Sequence, residues 1–124
     1  MTNLLETLDM KIESEQEGKV VLSMPVSDKV KQPFGYLHGG ASLALGETAC
    51  SLGAANLIDN QKFIPLGLAM NANNIKSTRD GYVYATATIL HQGSTTQVWD
   101  IKITDDKAQF ISVMRGTIAI KSIK

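Results

Sequence analysis

Leu37-His38-Gly39-Gly40-Ala41-Ser42-Leu43-Ala44-Leu45-Gly46-Glu47-Thr48-Ala49-Cys50-Ser51-Leu52-Gly53-Ala54-Ala55-Asn56-Leu57-Ile58 is a run of small and apolar residues with no proline and one formal charge, at Glu47. It is long enough for about five turns of helix. Gly39, Gly40, Gly46 and Gly53 would each weaken an isolated helix by ~1 kcal/mol relative to alanine. That cost makes sense where other backbones must come close, so the spacing predicts a helix wrapped tightly by a sheet.

On either side the pattern is that of strands. Val83, Ala85, Ala87 and Ile89 alternate with Tyr82, Tyr84, Thr86 and Thr88, the period of a sheet with two unlike faces. Residues 63–76, 98–104 and 109–121 read as further strands, with turns at Arg79-Asp80-Gly81 and Asp105-Asp106-Lys107. Upstream, residues 10–13 and 19–24 are strands separated by a polar turn over residues 15–18, and residues 28–34 form a loop closed by Gln32-Pro33. Asn3 and Glu6 have the spacing of a capping box for a short N-terminal helix. The order predicts an α+β fold: one long central helix wrapped by a curled antiparallel sheet, with residues 1–124 as a single domain. Such a sheet leaves an edge and a face uncovered, and oligomerisation should cover them.

Composition narrows the function. Twelve Lys and Arg balance twelve Asp and Glu among 124 residues, so no basic excess exists to track a nucleic-acid backbone. A single cysteine excludes an internal disulfide framework and a cysteine-based zinc cluster, and no metal-ligand spacing surrounds the two histidines or Asp100, Asp105 and Asp106. The first residues lack a secretory pattern, and no apolar run is long enough to span a membrane. A cytoplasmic protein that binds neither membrane nor nucleic acid is expected.

Glu47 has no Lys or Arg three or four residues away in either direction, and small or apolar residues surround it. A buried carboxyl without a partner must be protonated or used; the alternative is a thin polar stripe facing solvent, shared with Ser51 one turn on. Eight residues upstream, His38-Gly39-Gly40 opens the helix with bare N–H groups at the positive end of its dipole, where they can stabilise an oxyanion. Eight residues of helix span roughly 12 Å, whereas one reacting carbonyl needs donor and base each within about 3–3.5 Å. Gly39 and Glu47 of one chain therefore cannot serve one substrate. Two chains with antiparallel helices can, Gly39 of one facing Glu47 of the other, giving two shared sites per dimer.

Gln32-Pro33-Phe34-Gly35-Tyr36-Leu37-His38-Gly39-Gly40-Ala41-Ser42, followed by Leu45-Gly46-Glu47, resembles the hotdog-fold acyl-CoA thioesterases. Within these it resembles the group that contains the phenylacetate-pathway and 1,4-dihydroxy-2-naphthoyl-CoA thioesterases. Asn71-Ala72-Asn73 and the stretch from Gly93-Ser94 to Gln97-Val98-Trp99 look like later strands of the family, and the likeness spans roughly residues 12–120. The resemblance implies hydrolysis of an acyl-CoA, aryl or of medium size, to free acid and CoA. No cofactor is implied, coenzyme A being part of the substrate, and homodimers paired into homotetramers are implied. It implies that Glu47 acts as nucleophile or general base and that the Gly39 amide polarises the carbonyl. Gln32 would hydrogen-bond near the reacting group, His38 would set the loop and the thiolate side, and Ser51 would place water or the intermediate. An implied CoA-binding surface holds Gly67, Asn74, Lys76, Ser77, His91, Gly93, Ser94 and Thr95, and Arg79 is a candidate guide for phosphate. Asn74 and Thr95 stand where close aromatic-substrate relatives carry histidine and arginine, which leaves carrier-protein thioesters open as substrates.

Other readings are weaker. Cys50 reads as a small buried hydrophobe rather than a nucleophile paired with His38, His91 as a half-buried structural residue, and Lys29 and Lys31 as solvated loop charges. Trp99 either packs or walls the acyl pocket. A hydratase would need a second poised acid, and a non-catalytic acyl-CoA-binding module would have no use for Glu47.

Overall fold

The computed structural model describes residues 2–123. A four-residue helix α1 (Leu4–Thr7) leads into strands β1 (Lys11–Gln16) and β2 (Lys19–Pro25). The Asn3 side chain caps α1 by accepting from Glu6 N–H at 3.1 Å, as its spacing predicts. A 3-10 turn over Asp28–Val30 then precedes helix α2 (Gly39–Ala55). Strands β3 (Phe63–Asn74), β4 (Tyr82–Gln92), β5 (Thr96–Thr104) and β6 (Phe110–Ser122) complete the chain.

All six strands form one antiparallel sheet in the order β1-β2-β4-β5-β6-β3. The inward side chains of the alternating strands, among them Leu22, Met24, Val83, Ala85, Trp99, Ile101 and Ile118, are fully buried around α2. One long helix inside one curled antiparallel sheet is the hotdog arrangement.

The helix is shorter than the apolar run. It begins at Gly39 because His38 takes the N-cap position with extended backbone, and it ends at Ala55, with Asn56 as its C-cap. Its glycines admit side chains rather than the backbones that their spacing suggests. A Cβ at Gly46 would lie 2.7 Å from Met114 Sδ, and one at Gly53 would lie 2.5 Å from the Trp99 ring. Trp99 is therefore a core residue packed on α2, not a wall of the acyl pocket, and its indole N–H donates to Gln97 Oε1 at 2.9 Å inside the core.

The fit at Gly53 sets a stability prediction. Alanine there gains ~1 kcal/mol of helix propensity, but a rigid, fully buried indole must shift from a 2.5 Å approach, at about 2–3 kcal/mol, the upper end of what overpacking costs. Gly53→Ala should lower the melting temperature by roughly 3–8 °C in a thermal scan; an unchanged or raised value would show that Trp99 yields without strain.

Strand β3 is an edge strand whose outer side pairs with no strand among the described residues. It runs for 12 residues, and Ile64, Leu66 and Leu68 on it are exposed. A bulge between Gly67 and Ala69 shifts its register against β6. Long apolar edges of this kind are usually paired or covered.

Candidate active site

Helix α2 carries two separated sets of polar groups. At its N-terminus, the loop before it folds around Gln32. The Gln32 backbone N–H donates to Tyr36 O at 2.8 Å, and its side-chain Oε1 accepts from Phe34 N–H at 2.6 Å and Tyr36 N–H at 3.2 Å. With the carbonyl oxygen so occupied, the Gln32 amide nitrogen is left to donate outward. Gly35 makes this turn possible with φ +92°.

His38 changes what the helix start can offer. Its Nδ1 accepts from Gly40 N–H at 2.8 Å, and its carbonyl accepts from Ala41 N–H at 3.0 Å and Ser42 N–H at 3.3 Å. Of the two glycine amides expected to be bare, Gly40 is thus consumed, whereas Gly39 N–H takes no partner among the described residues. Because Nδ1 accepts, the neutral imidazole carries its proton on Nε2. Gln32, Gly39, Ser42, Asn74, Lys76 and Ser77 line a cavity of about 260 Å³. Asn74 is close by: a Cβ at Gly39 would lie 2.7 Å from Asn74 Nδ2.

Glu47 and Ser51 line a different cavity, of about 400 Å³, bounded by Leu4, Ala44, Leu52 and Pro65. The positions that α2 gives to it, Ala44, Glu47, Thr48, Ser51, Leu52 and Ala55, follow a single helical stripe. Within one chain Glu47 is exposed, not buried. Its stripe faces the open side of the curled sheet, with Leu4 and Pro65 at the edge of the cavity. Gly67 of β3 lies directly beneath it, because a Cβ there would run into the Glu47 carboxylate. Among the described residues no Lys, Arg or His forms an ion pair with Glu47.

The nine residues of the expected CoA surface divide between the same two ends. Asn74, Lys76 and Ser77 line the Gly39 cavity, and the Arg79 guanidinium lies 4.8 Å from the centroid of the Tyr36 ring on its wall. Gly67 sits with Glu47, and roughly 20 Å of strand separates it from Asn74. His91, Gly93, Ser94 and Thr95 occupy the tip of the β4–β5 hairpin, where Ile120 N–H donates to Thr95 O at 2.8 Å. Ile120 pairs with Pro65, so this hairpin lies at the Glu47 end. His91 is exposed there rather than half-buried. Lys76 is not a free cation, since Nζ contacts Gln109 Oε1 and lies 3.8 Å from Asp105 Oδ2. The Gln109 backbone N–H, aided by that of Lys107 and by the Lys76 charge, holds the Asp105 carboxyl below the usual carboxylate range.

Cys50 is buried, donates its thiol to Glu47 O at 3.4 Å and makes no contact with His38. Burial, with the nearby Glu47 charge, pushes its thiol up to about 12 from 9.0. The thiol should resist iodoacetamide at pH 8 until the chain unfolds, read by mass spectrometry; rapid labelling of folded protein would contradict this burial. A raised folded value means that the neutral thiol stabilises the fold fully below pH 9, and that this is lost as pH climbs toward about 12.

Residues 34–111, which hold α2 and strands β3, β4 and β5, match the family model described as the thioesterase superfamily. The chain belongs to the thioesterase superfamily. This thioesterase is 48% identical over 118 residues to the 1,4-dihydroxy-2-naphthoyl-CoA hydrolase of Listeria monocytogenes serotype 1/2a (strain 10403S), with 95% of each chain covered. It is 38% identical over 118 residues to the Escherichia coli (strain K12) hydrolase of the same name, covering 95% of this chain and 86% of that one. A crystal structure of a thioesterase enzyme from Staphylococcus aureus subsp. aureus Mu50 superposes with a TM-score of 0.95 at 70% identity, covering 97% of this chain and 99% of that one. The protein is a thioester hydrolase of a family that acts on acyl-CoA substrates. No helix of the thioesterase, among the described residues, is long and apolar enough to cross a membrane.

Proposed function

We propose that the protein hydrolyses an aryl or medium-size acyl-CoA at two sites, each shared between the chains of a homodimer. The observation that carries this reading is the division of polar groups along α2. Gln32, His38 and Gly39 gather at one end, and Glu47 and Ser51 lie about two turns on, beside a different cavity. Antiparallel placement of two α2 helices, with the cavity beside each Glu47 opening toward the partner, brings the first set of one chain to the second set of the other. The unpaired edge of β3, which flanks that stripe through Pro65 and Gly67, supports a dimer continued edge to edge.

The chemistry then runs as follows. Gly39 N–H, with the Gln32 amide beside it, receives the oxygen of the thioester carbonyl and stabilises the negative charge that develops there. Glu47 of the partner attacks the carbonyl carbon, or takes a proton from the water that does. Ser51, one turn along the same stripe, positions that water. The carbon–sulfur bond breaks, and His38 Nε2–H hydrogen-bonds to the leaving thiolate. Where Glu47 attacks, water then hydrolyses the acyl–Glu47 anhydride; where Glu47 draws a proton from water, that proton passes on to the thiolate or to solvent. Acyl-CoA and water give acid and CoA.

A second substrate class has a specific observation behind it. Lys76 is held by Asp105 and Gln109, which leaves Arg79 as the cation near the Gly39 cavity without an ion pair among the described residues. That is modest provision for the phosphates of a nucleotide, and a phosphopantetheine thioester on a carrier protein needs less. Thiol release from benzoyl-, phenylacetyl-, hydroxynaphthoyl- and straight-chain acyl-CoAs, with a carrier-protein thioester alongside, is the test. Turnover of the CoA esters is expected, and release from the carrier-protein ester alone would favour the second class. Release from none would overturn the reading in favour of a non-catalytic binding module.

A further inference from the structure

We infer that Leu4, presented by the N-terminal helix α1, forms the outer wall of the acyl site and sets the size of acyl group that the enzyme accepts. The inference rests on the thioesterase reading above and extends it to a residue outside the central helix motif. The cavity beside Glu47 draws its lining from three elements. The stripe of α2, Pro65 of β3 and Leu4 of α1 all line it, so Leu4 is the lining residue contributed from outside the helix and the sheet. At about 400 Å³ it falls in the range of small-molecule pockets, which runs from about 300 to 1,000 Å³. Apart from Glu47, Thr48 and Ser51, its lining is aliphatic, which suits an acyl group attached to a carbonyl held at the Glu47 end.

Leu4 has little reason to be leucine for stability. It is 53% exposed, and no residue of α1 is buried. Its neighbours hold it in place. Leu5 and Leu8 pack against the core; Met10 N–H donates to Leu5 O at 2.9 Å; and Asp9, with φ +58°, forms an ion pair with Lys29 at 2.7 Å. The segment is thus tied on its inner side while Leu4 lines the cavity. An apolar side chain left half in solvent in one chain gains a purpose when an acyl group fills the space beneath it.

The test is a pair of substitutions read as a selectivity ratio. Leu4→Ala should widen the wall and Leu4→Trp should fill it, and neither removes a buried side chain. For each variant, kcat/KM is measured on a short acyl-CoA and on a bulky aryl-CoA by thiol release. The expected result is a bulky-to-short ratio that rises for Leu4→Ala and falls for Leu4→Trp, by about tenfold or more between the two, the scale set by one or two methylenes in a pocket. A general loss of fold would lower both substrates together and leave the ratio unmoved. A ratio equal to wild type in both variants, or shifted the same way in both, would overturn the role of Leu4 while leaving the thioesterase reading intact. If wild-type protein turns over no thioester, that reading fails first, and this inference falls with it.

Discussion

Glu47→Ala is expected to lower kcat by roughly 10²–10⁴-fold, the range that a positioned acid–base or nucleophilic carboxylate contributes. The melting temperature should barely move. The Glu47 side chain is exposed in the chain, makes no ion pair among the described residues and supports no core contact, so its removal should change stability by no more than about 0.5 kcal/mol. Glu47→Gln is the companion variant, since it keeps the shape against Gly67 and loses the charge. Both variants should show the loss in kcat and in kcat/KM alike, as befits an interaction made in the transition state. Steady-state thiol release with a thermal scan on the same samples is the measurement. Near-normal turnover by either variant would remove Glu47 from the mechanism.

Complementation between two inactive variants should give the other large effect. Gln32→Ala damages the Gly39 end of α2, and Glu47→Ala damages the other end. If each site joins the Gly39 end of one chain to Glu47 of its partner, a mixed dimer contains one site with both defects and one with none. Random assortment of equal amounts makes half the dimers mixed, so about a quarter of wild-type activity should return from two nearly inactive parents. If instead both sets of residues acted within one chain, every site would carry a defect and mixing would restore nothing. Co-expression with two different affinity tags, purification through both and assay of the doubly tagged dimer read the outcome without subtraction. Intact sites should then make up about half of the total in that fraction.

These expectations rest on features of unequal legibility. The strands around residues 83–89 and the small-residue helix are plain in the sequence, because a sheet with one buried face demands a period of two and a tightly wrapped helix excludes large side chains. The capping role of Asn3 is legible for the same local reason: its side chain reaches Glu6 N–H from three residues away. Gly53 shows where local reading stops. Its spacing signals a close approach, but the partner is the Trp99 indole, 46 residues along the chain, and only the register of β5 against the helix supplies it. His38 is a second case. The glycines after it suggest two bare amides, yet the imidazole turns back onto Gly40, because an N-cap acceptor satisfies a helix donor more cheaply than solvent does.

The sequence by itself determined the class of fold, the helix that carries the chemistry and the isolation of Glu47 from any compensating charge. It also determined that Gly39 and Glu47 lie too far apart to meet on one substrate, since helical rise is fixed by backbone geometry whatever surrounds it. Only the tertiary structure decided that Glu47 faces outward, that Gly67 lies beneath it, and that the expected CoA-binding residues fall into two groups at opposite ends of the sheet. It alone brought Leu4 to the cavity and tied Lys76 to Asp105. Each of these depends on which residues of distant strands and helices come to lie side by side. That is fixed by how one apolar face packs against another across the whole sheet, and no local pattern in the chain encodes it.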